Sequence, residues 1–159
     1  MNFFKAAAVA SMLAAGWACS SSGNQEGTDQ ASSQPEETEA MSVEMTQMVE
    51  QGKTVYGQYC VACHQTDGQG MSGAFPPLTE SDWVGGDKTR LISVLINGLQ
   101  GPITVNGEEY NNVMPSHSFL SDEDIAAVLT YVRQSFGNSA SEISAAEVVE
   151  VRENAGTAD

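Results

Sequence analysis

Apolar residues recur at helical spacing most regularly in two stretches of the chain. Between about Ser42 and Tyr59, the residues Met45, Met48, Val49, Gly52, Tyr56 and Tyr59 fall on one helical face, and the methionines read as core packing. The second stripe, Ile125, Val128, Leu129, Val132 and Phe136, follows Ser121 and Asp124, which resemble a capping pair, and ends at Gly137. A shorter helix is predicted over Leu91, Val94 and Leu95, capped by Asp87 and stopped by Gly98. A last short helix is predicted with Ser144 as cap, Glu147 at the third position and Val148, Val149 and Val151 following. Between these, Gly68, Gly70, Gly73, Pro76, Pro77 and the Gly85-Gly86 pair forbid long regular structure and predict an ordered loop from Cys60 to Val84. Residues 99–120 are also loop, except that Asn106-Gly107 between Thr104-Val105 and Tyr110 predicts a small hairpin.

The ends of the chain read differently. Phe3 to Ala18 is apolar, too short to span a bilayer comfortably, and sits behind a single Lys5. That arrangement reads as an export signal over residues 1–18, outside the fold. Gly16 and Ala18 fit ordinary signal-peptidase cleavage, whereas a lipoprotein signal would place lipid on Cys19. The usual lipoprotein motif has Leu where Gly16 stands. Lipid attachment is nevertheless preferred, because ordinary cleavage leaves a lone thiol in an oxidising compartment. Cys19 is also followed by Ser20-Ser21-Ser22-Gly23, as a tether would be. Residues 19–41 lack apolar periodicity and read as a disordered polar linker. The folded domain is expected over 42–137, with 138–159 a C-terminal tail carrying the short last helix.

Charge narrows the partners. The 159 residues carry 21 acidic against 6 basic side chains, a net charge of −15, and loss of Lys5 with the signal makes the mature chain more negative still. Nucleic acid and bare anionic membrane are excluded as partners, and a basic docking surface is favoured; a saline habitat would give the same bias. The fold class is all-α, with three to five short helices. So few short helices cannot build a large core, and the long loops lack support. Something else must fill the centre.

Cys60-Val61-Ala62-Cys63-His64 supplies it. C-x-x-C-H is the attachment signature of c-type haem: two thiols at this spacing reach two vinyl groups as thioethers, and the adjacent imidazole is brought under the iron. A structural zinc site would want a second Cys or His pair, and Cys19 is the only other cysteine. A thioredoxin-like pair normally opens a helix, whereas this one ends a helix. An ordinary disulfide is the plainest alternative. For a sixth ligand the candidates are Met71, Met114 and His117. Met71 follows His64 too closely for a loop that must pass round the haem edge. Met114, in a Gly- and Asn-rich loop before the last long helix, is preferred; His117 would give a bis-His haem of lower potential. Trp83 and Arg90 are candidate hydrogen-bond donors to the propionates, with core packing and a solvated surface as equal readings.

With these motifs in view the chain resembles a class I (mono-haem) cytochrome c over about residues 42–137. Gly52-x-x-x-Tyr56 is similar to the family's N-terminal helix, and Leu129-Thr130-Tyr131-Val132 to the helix that crosses it. Phe75-Pro76-Pro77-Leu78 resembles its proline loop, and Asn112-Val113-Met114-Pro115 its axial-Met loop. The resemblance implies one covalent haem c on Cys60 and Cys63, with His64 and Met114 as iron ligands. It implies that the Pro76 carbonyl (Pro77 as second choice) accepts the His64 Nδ1–H, and that Leu78 packs on the haem face. The family's ring of docking lysines is absent, so partner identity is not implied.

The function expected is single-electron transfer between respiratory or dehydrogenase partners (an oxidase, reductase or dehydrogenase) on the periplasmic or outer side of a bacterial membrane. No nucleophile or acid–base pair stands out, so the chain is read as a carrier and not an enzyme. A peroxidase-like enzyme or gas sensor with an open sixth position is the rival, and a bound subunit of a larger oxidoreductase is a third reading.

Overall fold

A computed structural model describes residues 34–155; the export segment, Cys19 and the linker as far as residue 33 lie outside the described residues. The helix α1 runs Gln34–Tyr59, α2 Val61–His64 and α3 Lys88–Asn97. A hairpin of β1 (Ile103–Val105) and β2 (Glu108–Tyr110) follows, then α4 (Asp122–Gln134) and α5 (Ala145–Ala155). No helix among the described residues is long and apolar enough to cross a membrane.

The first correction is at the start of α1. The helix begins eight residues earlier than Ser42, inside the segment expected as linker. Nothing in that stretch stops a helix: it holds no glycine, and its one proline, Pro35, falls in the first turn, where proline is tolerated. A second correction concerns the inner face. Gly52, Val55 and Tyr56 are buried, while Tyr59 is 43% exposed. Tyr59 ends the helix and packs edge-on against Phe119 instead of entering the core.

The inner face of α1 lies on α4, and Gly52 sets the closeness of the crossing. A Cβ placed on Gly52 would stand 2.0 Å from the Ala127 carbonyl oxygen and 2.7 Å from Tyr131 Cβ. Only a hydrogen fits there. Gly52→Ala gains helix propensity but forces the two backbones apart, and is expected to destabilise the protein by about 2–3 kcal/mol despite that gain. Thermal denaturation of the variant against wild type checks this. Beside the crossing, Tyr56, Tyr131 and Phe136 form a triad of rings with centroids 5.3–5.6 Å apart.

The cap of α4 is as expected, with Ser121 Oγ accepting the Asp124 N–H at 3.1 Å. Its end is not. The helix stops at Gln134, and Phe136 (φ 56°) and Gly137 (φ 80°) reverse the chain so that Phe136 folds back onto Tyr56.

The segment after 137 is no tail. Ile143 and Val148 are fully buried, and α5 packs on both α3 and α4. Thr130 Oγ1, itself buried, donates to the Ile143 carbonyl and accepts the Ile143 N–H at 2.9 Å. The Ser144–Glu147 capping box forms, with the Ser144 N–H on Glu147 Oε2 and the Glu147 N–H on Ser144 Oγ. These bonds, with the Lys88 ammonium 2.9 Å away, hold the Glu147 carboxyl below the usual carboxylate range. The domain therefore extends to α5, because the apolar face of that helix closes the core that α3 and α4 leave open.

Arg133 was not foreseen. It is 3% exposed, and its guanidinium donates to the carbonyls of Val84 (2.6 Å), Gly86 (3.2 Å) and Ser141 (2.7 Å). A buried charge surrounded by carbonyl dipoles braces the 80–86 loop against the segment entering α5.

Candidate functional site

The helices leave two adjoining cavities of about 90 and 80 Å³, sharing Cys60, His64, Pro76, Leu99, Ile103 and Met114 in their walls. The inner one is almost wholly apolar. Leu91, Val94 and Leu95 of α3 line one side and Val128, Leu129 and Val132 of α4 another. The capped helix α3 thus turns its expected stripe toward the cavity, while Ile92 and Ile96 face the core. The hairpin supplies a further wall, with Ile103, Val105 and Tyr110 directed inward by strand alternation. Asn106 (φ 50°) and Gly107 (φ 82°) make the turn, as the Asn-Gly pair requires.

Cys60 and Cys63 are free thiols, set where α1 breaks and the single turn of α2 begins. Burial, and then the neighbouring Cys63, pushes the Cys60 thiol up to about 11. His64 is buried, and its Nδ1 lies 3.1 Å from the Pro76 carbonyl oxygen. With the proton on Nδ1 and donated there, Nε2 is the free nitrogen of a ring that lines both cavities. Burial draws the imidazole below its ordinary value, with the Pro76 bond opposing and His117 adding to the fall. The neutral ring is the metal-ligating form. Pro77 and Leu78 line the inner cavity beside Pro76.

Met114 lines both cavities, and its loop is held by backbone bonds in both directions with Leu99 at 2.9 Å. Gly98 admits this approach: its φ is 75°, and a Cβ there would meet the Met114 carbonyl oxygen at 2.6 Å. Met71, by contrast, is 52% exposed and lines neither cavity. His117 lines the outer cavity, and its Nδ1 is buried without a hydrogen-bond partner among the described residues. Trp83 lines the inner cavity, but its indole N–H donates to the Thr104 carbonyl at 2.8 Å, so that donor is already used. Arg90 stacks over the Trp83 ring, 4.3 Å from its centroid. Tyr56, which the sequence places on the apolar face of α1, also lines the inner cavity and donates its hydroxyl to the Gln65 carbonyl at 2.5 Å. Leu99 and the hairpin residues had no periodic signal long enough to mark them.

A flat apolar macrocycle fits this setting. Two free thiols, an oriented neutral imidazole and a thioether stand in the walls of one crevice lined by aliphatic side chains. These features define a small helical haem-binding domain.

Comparison with known proteins agrees. Residues 49–136 match the cytochrome c family. Over 92 residues the chain is 47% identical to cytochrome c-552 of Thermus thermophilus, covering 55% of this chain and 70% of that one. It is 38% identical over 90 residues to the cbb3-type cytochrome c oxidase subunit CcoP of Azospirillum brasilense, covering 52% of this chain and 27% of that subunit. It is 33% identical over 107 residues to the gluconate 2-dehydrogenase cytochrome c subunit of Pantoea cypripedii, covering 65% and 24%. The chain therefore spans only about a quarter of those larger subunits. The chain belongs to the cytochrome c family, with the class I fold and one covalently bound haem c. It transfers electrons through that haem and is not an enzyme in its own right.

Proposed function

We propose that the protein is a single-electron carrier whose haem is bonded to Cys60 and Cys63 and whose iron is ligated by His64 and Met114. The observation that carries this reading is the common wall: all four residues line the outer cavity, and only Met71 among the candidates stands away from it. When bound, the haem supplies one-electron chemistry through its ferric and ferrous states. The protein's part is to hold and tune it. The Pro76 carbonyl fixes the ring plane and tautomer of His64 and raises its basicity. The Met114 thioether is a soft donor that favours the reduced form. Leu78 and the aliphatic faces of α3 and α4 keep water from the inner cavity, which raises the potential further.

Its partners are an oxidase, reductase or dehydrogenase, in keeping with the subunits to which the chain is similar. The acids exposed on α1, the 80–87 loop, the hairpin and the start of α4 suit a partner that is basic around its docking face. The site is periplasmic or at the cell surface, after export by residues 1–18 and lipid attachment at Cys19, with 19–33 as tether. A diacylglycerol thioether in the mass spectrum of the mature N-terminus would support the anchor; an unmodified Cys19 returns the chain to ordinary secretion.

Potentiometric titration followed in the visible spectrum tests the carrier. One reversible one-electron wave and a low-spin spectrum in both states are expected. A high-spin ferric spectrum that binds peroxide at once would favour the enzyme or sensor with an open sixth position.

A further inference from the structure

Residues 71–75 form a tight turn whose ends pair: the Met71 N–H donates to the Phe75 carbonyl and the Phe75 N–H to the Met71 carbonyl, each at 2.8 Å. Gly73 sits at its tip with φ 72°. The next residue is Pro76, whose carbonyl oxygen lies 3.1 Å from His64 Nδ1. Gly70 lies against the base of the turn. A Cβ there would stand 2.3 Å from the Phe75 carbonyl oxygen and 2.6 Å from that of Pro76, and its N–H donates to the His64 carbonyl at 3.0 Å. Two side chains from beyond the turn hold it. Glu108 of β2 is exposed, yet its Oε1 accepts the Ser72 hydroxyl at 2.6 Å and the Gly73 N–H at 3.0 Å, and its Oε2 the Tyr110 hydroxyl at 2.9 Å. The Ser72 bond, and then that of Tyr110, holds this carboxyl below the usual carboxylate range, so at neutral pH the clasp is ionised and its bonds are charge-assisted. Asn112, two residues before Met114, donates its Nδ2–H to the Ala74 carbonyl at 3.0 Å. Ala74, Phe75, Asn112 and Met114 share the wall of the outer cavity.

We propose that the 71–75 turn is a common brace for both sides of the iron, and that Glu108 and Asn112 are the positioning residues that hold it. The proposal rests on ligation by His64 and Met114 as set out above. Ser72 and Gly73 lie 36 and 35 residues from Glu108 in sequence, so the clasp ties the hairpin to the motif side of the chain and does not merely close a local turn. On one side the braced turn delivers the Pro76 carbonyl to His64 and so fixes the imidazole. On the other it anchors Asn112, and through it the loop that presents Met114. The paired ends make the turn move as a unit, so release at either point loosens both sides. Substitutions at Glu108 and Asn112 are then interdependent, because both act through the same turn.

Two rates of the holoprotein test this, one on each side of the iron. Cyanide binds the ferric iron only when Met114 leaves it. The His64 Nδ1 proton of the ferrous protein, followed by nuclear magnetic resonance, exchanges with solvent only when the Pro76 bond opens. Glu108→Ala and Asn112→Ala are each expected to raise both rates about fivefold, the order of effect of one net hydrogen bond, and the double variant by less than the product. Glu108→Gln keeps an oxygen for Ser72 and Gly73 and is expected to stay within about twofold of wild type. The same holds for Glu109→Gln, which removes only the neighbouring charge. Variants that each move only their own side, or that lower the melting temperature with both rates unchanged, overturn the brace. A wild-type ferric spectrum without the weak far-red band would instead overturn methionine ligation, and the proposal with it.

Discussion

Replacing Cys60 and Cys63 together by alanine is expected to abolish haem staining on a denaturing gel and to leave a chain that folds poorly. The first result follows from the chemistry of attachment. Without the two thiols no thioether forms, and only coordination, by His64 and Met114 on the reading proposed above, would hold the group; denaturation breaks it. The second follows from the fold. Without its prosthetic group the domain would keep apolar cavities of about 90 and 80 Å³ beneath α3, α4 and the hairpin. Dry cavity costs about 24 cal/mol per Å³, so each 100 Å³ that does not collapse costs about 2.4 kcal/mol. The two together cost about 4 kcal/mol, a large part of the roughly 5–15 kcal/mol by which a domain of this size is stable. Far-ultraviolet circular dichroism of the double variant is therefore expected to show a large loss of helix. Undiminished haem staining would sink the reading of the site. A fully helical, cooperatively melting protein without haem would sink the reading of the core.

The second large effect is expected from Met114→Ala. The thioether lost is the one soft donor in the cavity wall apart from the two cysteines, so the ferric protein should lose the weak far-red band of methionine ligation. Its potential should fall, and the iron should become open to cyanide or peroxide. The fold should tolerate the change better than the cysteine variant. The loop is held by its backbone, through the pairing of Met114 with Leu99 and the bonds from His117 N–H to Leu95 and from Ser116 Oγ to Ile96. His117→Ala is the companion experiment. Its ring lines the outer cavity with a buried, unpartnered Nδ1, so it is the residue to exclude. If His117→Ala removes the band and opens the iron while Met114→Ala does neither, the iron is bis-His.

The fold could be read from the sequence wherever periodicity was long or capping chemistry local. Asp87 accepts the Arg90 N–H at 2.7 Å at the start of α3, and Ser121 and Ser144 cap α4 and α5 as their side chains suggested. What escaped was set by tertiary packing. The turn at Phe136 carries no breaker before Gly137; the helix stops at Gln134 where Phe136 joins the ring triad with Tyr56 and Tyr131 and the Asn138 amide donates to the Val132 carbonyl at 2.9 Å. Ile143 is a lone apolar residue in a polar stretch, yet Thr130 takes both of its backbone groups and makes the segment part of the core. Nothing local foretells the burial of Arg133, whose carbonyl partners arrive from residues 84, 86 and 141.

The site divides in the same way. Cys60, Cys63 and His64 were legible as a motif, and the Pro76 carbonyl was expected by resemblance and lies at hydrogen-bond distance from His64 Nδ1. The hairpin wall, from Ile103, Val105 and Tyr110, was not legible as part of the site. Three-residue strands carry too little pattern to say which side they turn inward.

The central claim is one haem joined to this chain by two thioethers at Cys60 and Cys63. Its most direct test is the intact mass of the purified mature protein under denaturing conditions, followed by sequencing of the peptide that carries the added mass. The account predicts the chain plus a single haem, on the peptide holding Cys60 to His64. A mass equal to the chain alone, or haem lost on denaturation, would contradict it.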